Sequence, residues 1–214
     1  MRIALEIENN IARIQMDDGK ANALDLDWFN EMHEILDSVE NANVTSLSIF
    51  GRDGIFCGGL NTKWLPTMNT DEQKLLLVEF PRIMERIFHL PMPTVAAMAG
   101  HAIAGGFIIA CACDTRIAVE GDYRVHMNEV MINMTVPDWI SRIIRYVTPK
   151  PWAERMLNLA EPMSFSTAHS LGIIDRFVEE PKGLQEAVRL VQEHHQLLDP
   201  NSFTQTKASL KSAG

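Results

Sequence analysis

The chain has 214 residues, of which 46 % are hydrophobic and 22 % charged, enough for a single domain, 1–214, with a sizeable core; wholesale disorder and fibrous architecture are excluded. Nineteen Lys plus Arg against 28 Asp plus Glu leave a net charge of −9, the wrong sign for gripping a phosphate backbone, so no nucleic-acid partner is expected. Three cysteines cannot pair completely and no basic, apolar leader opens the chain, so a reduced, cytoplasmic-type compartment is the expectation.

Apolar and polar residues alternate from Arg2 to Asp17 on either side of Glu8-Asn9-Asn10, which predicts two strands joined as a hairpin. Asp25 to Glu40 carries Leu26, Phe29, Met32, Ile35, Leu36 and Val39 at helical spacing. A strand over Ser46 to Phe50 leads into a glycine-rich turn and a short helix that includes Trp64. A long helix follows over Thr70 to Leu90, which Pro81 is expected to kink or divide. Pro93 to Ala99 reads as a buried strand and Gly105 to Cys113 as a helix too apolar to face water. The whole stretch from Leu90 to Cys113 is broken by Pro91, Pro93 and glycines and is no membrane span. Strands are predicted at Arg116 to Val119, Tyr123 to Met127 and near Ile174 to Val178. Helices are predicted at Pro137 to Val147, Pro151 to Leu159, Ser166 to Leu171 and Leu184 to Leu198. Strands early and helices late make a layered α/β domain whose helical C-terminal part starts near residue 135.

Three segments offer unusual backbone or an isolated carboxylate. Gly54 to Asn61 pairs Gly58 with Gly59 after a strand, either as a tight turn or as backbone N–H groups turned toward a ligand. Ala99 to Gly106 joins a buried strand to a buried helix, either for close packing through small residues or as free helix-start donors that need an acceptor. Glu129 interrupts an otherwise largely apolar run from His126 to Ile132. It is either a salt-bridged or exposed strand-end residue, or a carboxyl whose pKa burial raises toward that of a general base.

In order and spacing these segments resemble the enoyl-CoA hydratase/isomerase (crotonase) superfamily, from about residue 2 to about residue 211. The residues are Lys20-Ala21-Asn22-Ala23-Leu24, Phe56-Cys57-Gly58-Gly59-Leu60-Asn61, Ala104-Gly105-Gly106 and Cys113-Asp114-Thr115-Arg116-Ile117. The resemblance implies a ClpP/crotonase-type spiral of ββα units assembled as trimers or pairs of trimers. It implies an oxyanion hole from the backbone N–H groups of Leu60 and Gly105, and Glu129 as the base. Ala21, Ala23, Leu24, Gly58, Gly59, Asn61 and Gly106 are implied to line the substrate site. The substrate class is an acyl-CoA thioester, with CoA as part of the substrate and no metal or redox cofactor required.

Hydratases of the superfamily use a second glutamate where this chain has Ile108, and the context of Asn128-Glu129 looks most like Δ3,Δ2-enoyl-CoA isomerases. Hydrolase, decarboxylase, weak hydratase and noncatalytic acyl-CoA binding remain alternatives, because fold does not fix chemistry. Asn61 stands where the family has Asp, and Asn133 where the isomerases have Gly, a left-handed position that Asn tolerates. Family members usually continue through further C-terminal helices, so the C-terminus is apparently short. Lys207 and Lys211 are either contacts for CoA phosphates, as the resemblance suggests, or solvated helix charges. His126 is a minor proton-transfer candidate that strand alternation would turn away from Glu129. His101 is expected to be a hydrogen-bonded loop residue, the cysteines buried packing, and the adjacent His194 and His195 no metal site.

Overall fold

The computed structural model describes residues 2–212. Strands β1 (Ile3–Glu8) and β2 (Ile11–Met16) form the expected hairpin, with Glu8 opposite Ile11. Asn9 and Asn10 make its two-residue turn at φ of 51° and 64°, the left-handed backbone that this turn requires. Helix α1 (Leu26–Asn41) starts at Asp25, whose side chain accepts from the Trp28 N–H and pairs with Arg2 at 2.7 Å.

Three further strand pairs follow: β3 (Ser46–Phe50) with β4 (Gly54–Cys57), β5 (Thr94–Met98) with β6 (Gly100–Ile103), and β7 (Thr115–Val119) with β8 (Arg124–His126). In each pair the first strand joins one sheet and the second another. The large sheet has the order β1-β2-β3-β5-β7-β10, with β10 at Arg176–Val178, and the small sheet β4-β6-β8-β9, with β9 at Met163–Ser164. Helix α2 (Thr70–His89) closes the β3/β4 unit and α3 (Gly105–Ala112) the β5/β6 unit. This is the spiral of ββα units that the resemblance implied.

The small sheet corrects the sequence reading, which took residues 54–57 and 100–103 as loop. Gly54 and Gly100 sit directly opposite each other in β4 and β6, and a Cβ on Gly100 would lie 1.9 Å from the Gly54 carbonyl carbon. Gly100 is thus what lets the two strands approach, while Gly54 serves its φ of 83°; both glycines had suggested loop.

Pro81 does not divide α2, which runs unbroken to His89 behind an Asn69/Glu72 capping box. The carbonyl that Pro81 leaves without an N–H belongs to Leu77, an exposed residue that water can serve.

Helices α4 (Asp138–Val147), α5 (Lys150–Leu159), α6 (Phe165–Ser170), α7 (Pro181–His195) and α8 (Pro200–Ser212) complete the chain. The large sheet is covered on both faces. Leu47, Ile49 and Ala96 join the main core with α1, α2 and α3, while Phe50, Val95 and Val119 pack on Leu184, Val188 and Val191 of α7. Among the described residues no helix is long and apolar enough to cross a membrane.

Lys207 and Lys211 of α8 are not solvated: they are 6 % and 7 % exposed. Their ammonium groups meet Asp114 at 2.6 and 2.9 Å and donate to the carbonyls of Met92 and Phe88. Committed in this way to the interior, they do not project toward a phosphate. Asp114 also accepts from the N–H and hydroxyl of Thr94. Next to it, the buried Arg116 donates to the Cys113 and Ile173 carbonyls and pairs with Asp175 at 2.9 Å, so cations grip the C-terminal end of α3.

Candidate active site

The first of the three segments leaves β4 at Cys57 and runs alongside the loop at residues 21–24, with Leu24 and Leu60 bridged in parallel. The Gly58 N–H donates to the Ala21 carbonyl, the Leu24 N–H to Gly59 and the Asn61 N–H to Leu24. The N–H of Leu60, between these ties, has no partner among the described residues. Asn22 holds both loops from beneath. It is buried at φ 50°, and its amide donates to the carbonyls of Met16 and Phe56 at 3.0 Å. The resemblance puts Asn22 only in a stretch that lines the CoA site; its role as a support had as its signal an Asn among small residues, a type that accepts left-handed backbone.

The second segment turns from β6 into α3 at Ala104, whose φ of 49° and ψ of −117° are unusual for a residue with a side chain. The Ala104 N–H donates to the His126 carbonyl at 2.6 Å. Gly105 opens α3, and its N–H is likewise free among the described residues, as expected of a helix start.

Two glycines interlock the segments. A Cβ on Gly59 would stand 3.0 Å from the Gly105 nitrogen, and one on Gly106 would stand 2.1 Å from the Cys57 carbonyl oxygen. Gly59, Gly106 and the fully buried Leu24, whose Cδ1 lies 2.6 Å from where a Gly105 Cβ would be, form the packing behind the donors.

Glu129 begins a 3-10 turn, Glu129–Ile132, after β8 has ended at His126. The turn closes at Asn133 with φ 59°, the left-handed backbone expected there. Glu129 is neither exposed nor salt-bridged. It is 7 % exposed, its Oε2 is buried without a hydrogen bond, and burial pushes its pKa up, opposed only by its own backbone N–H.

These elements meet in one cavity of about 160 Å³. Gly58, Leu60, Ala104, Gly105 and Glu129 line it together with apolar residues of α2, α4 and the 3-10 turn, and Glu129 is its one titratable lining group. Ile108 is fully buried inside α3 and puts no second carboxylate there. A polar trough adjoins, sharing Gly58 and Leu60 and lined by Ala21, Ala23 and Asn61. Asn61 hydrogen-bonds Asp25 through its side chain, which explains an amide rather than a second carboxylate beside that aspartate. Ala21, Ala23, Gly58, Leu60, Asn61, Gly105 and Glu129 therefore come together at the surface of one depression, whereas Leu24, Gly59 and Gly106 support it.

The remaining candidates lie elsewhere. His126 is bound to the Ala160 carbonyl at 2.8 Å, and His101 accepts from the Arg124 N–H within β6 rather than a loop. The thiols of Cys57, Cys111 and Cys113 are buried, which pushes each up to about 12.

A family model described as enoyl-CoA hydratase/isomerase matches residues 6–213. A probable enoyl-CoA hydratase of Bacillus subtilis (strain 168) is 33 % identical over 177 residues, 80 % of this chain and 67 % of that protein. The mitochondrial enoyl-CoA delta isomerase 1 of Mus musculus is 25 % identical over 84 % of this chain and 64 % of its own length. The crystal structure of a probable enoyl-CoA hydratase from Mycobacterium tuberculosis H37Rv superposes with a TM-score of 0.93 at 26 % identity, covering all of this chain and 89 % of the other. Sequence match, ββα spiral and paired backbone donors agree: the chain belongs to the enoyl-CoA hydratase/isomerase family.

Proposed function

We propose that the protein is an isomerase that moves the double bond of a 3-enoyl-CoA to the 2-position. The observation that carries this reading is the single, buried, unpaired carboxylate of Glu129 in a cavity with two free backbone donors and no second acid. Hydration needs one group to activate water and another to deliver a proton, whereas a 1,3-proton shift needs only one base.

The thioester carbonyl accepts from the N–H groups of Leu60 and Gly105, which acidifies C2. Glu129 removes a C2 proton, and the negative charge spreads over the dienolate and rests on the oxygen held by the two donors. The C3–C4 double bond becomes C2–C3 as the Glu129 carboxyl returns its proton to C4. Preformed donors cost no reorganisation at this moment, and the raised pKa of Glu129 brings its basicity closer to that of the carbon acid. A trimer or pair of trimers, to be read by sedimentation, is part of the same proposal.

The test is incubation with 3-hexenoyl-CoA in heavy water, following double-bond position and deuterium by mass. Migration with label uptake, lost in Glu129→Gln, supports the isomerase. Binding with neither migration nor exchange overturns it in favour of a noncatalytic thioester-binding protein, and free CoA release in favour of a hydrolase.

A further inference from the structure

The two free donors are carried in different ways. The Gly105 N–H opens a fully buried helix, so α3 itself fixes where it points. Leu60 lies outside any helix or strand, between β4 and the 3-10 turn at Leu65–Thr67. From Gly58 to Asn61, among the described residues, every backbone-to-backbone hydrogen bond running to an earlier part of the chain ends at Ala21 or Leu24. The aim of the Leu60 N–H therefore depends on a loop that is itself irregular. One side chain fixes that loop to the scaffold. The Asn22 amide donates to the carbonyl of Met16, the last residue of β2, and to that of Phe56 in β4, each at 3.0 Å, and its oxygen accepts from the Asp18 N–H at 3.0 Å. Both amide protons and the oxygen are thus in use. The Asp18 carboxylate adds to the brace by taking the N–H groups of Lys20, Asn22 and Ala23 at 2.7, 2.9 and 3.2 Å. The Cys57 thiol donates to the Asn22 carbonyl at 3.0 Å. Asn22 in this way bonds the large sheet, the small sheet and the loop at once.

We infer that Asn22 is a positioning residue for the Leu60 donor, acting through the loop at 21–24. It lines neither the cavity nor the trough, so its side chain has no direct part in binding. The inference rests on the reading in which a thioester carbonyl sits between Leu60 and Gly105, and it holds for any reaction carried out there. At a donor that must meet a developing negative charge, a displacement of about 1 Å costs about 10²-fold in rate.

The experiment reads the bound carbonyl directly. Hexanoyl-CoA labelled with carbon-13 at the carbonyl is bound to the intact protein at saturation, and its C=O stretch is recorded by infrared difference spectroscopy. Each donor weakens the C=O bond and lowers its frequency. Asn22→Gly keeps the left-handed backbone and removes only the side chain. The expected result is a lowered frequency in the parent and a variant in which about half of that shift is gone, one of two donors having moved away. Asn22→Asp, which keeps the size and gives up at least one donated bond in either protonation state, serves if the glycine variant fails to fold. A role in stability alone would lower Tm and leave the shift untouched. The N-acetylcysteamine thioester, which lacks the nucleotide, should show the same loss. A folded variant that keeps the parent's shift overturns the inference, and so does a parent with no shift, which has no donor pair to position. A loss confined to the CoA thioester also overturns it, because the loop would then serve CoA contacts alone. Turnover of 3-hexenoyl-CoA is scored separately. A shift lost in the variant with no turnover in the parent removes the isomerase reading and keeps the role of Asn22; turnover in the parent with an unmoved shift does the reverse. Where both stand, kcat should fall by about 10²-fold, more than KM rises, because the contact strengthens toward the transition state.

Discussion

Two carboxylates of this molecule, Glu129 buried and Asp114 part-buried, are treated in opposite ways. Asp114, just beyond the C-terminal end of α3, receives two ammonium groups and both donors of Thr94, and the cations hold its pKa below the usual carboxylate value despite burial. Glu129, near the other end of the same helix, has no cation and a bare oxygen, and burial holds its pKa above the usual value. Burial alone therefore assigns no role to an acid. A fully paired acid becomes part of the scaffold, and an unpaired one stays available to a proton.

The contrast breaks most visibly if Glu129 is dispensable. Glu129→Gln is expected to lower kcat on 3-hexenoyl-CoA by about 10³-fold while the circular dichroism spectrum stays unchanged. For Asp114→Ala the expectation is loss of stability with two lysines left buried and unpaired, by about 3 kcal/mol in a urea titration. A change below about 0.5 kcal/mol, the range of ordinary surface substitutions, would mean that the cluster is not structural.

The pH profile sharpens the difference further. Because the Glu129 pKa is raised, the acid limb of kcat/KM should fall above the ordinary glutamate value of 4.5. A limb at or below that value would remove Glu129 as the titrating base.

The smallest expected effect is a pair of opposite slopes in stability. With a raised pKa, the contribution of Glu129 is complete below its unfolded value and is lost as pH rises through its folded value. Glu129→Gln should accordingly gain Tm relative to the parent from acid to neutral pH. Asp114, with a lowered pKa, contributes above its unfolded value and loses that contribution as pH falls through its folded value. The deficit of Asp114→Asn should accordingly shrink toward acid. Parallel slopes for the two variants would contradict the assignment of both groups.

Glu129 was legible in the sequence as an isolated acid in an apolar run, and the two donor segments as glycines between strand and helix. The hairpin, α1, α2, α4 and α5 followed from periodicity and turn residues, because those signals are local. The small sheet was not legible: β4 and β6 are four residues each, both open on a glycine, and are defined by pairing with each other across the chain between Gly54 and Gly100. The lysines of α8 misled for the same reason. Lys207 finds Asp114 at a separation of 93 residues, and nothing in the local pattern of a polar helix announces a partner so far away.

Ala104 carries a consequence for how this site can evolve. Its backbone occupies a region that a side chain makes costly, on the order of 1–3 kcal/mol, and the turn it makes aims the Gly105 N–H before any substrate arrives. Ala104→Gly would relieve that cost, yet glycine would also free the turn to wander when the site is empty. Selection for thermal robustness and selection for turnover should therefore pull this one position in opposite directions, the trade that a strained active-site residue imposes.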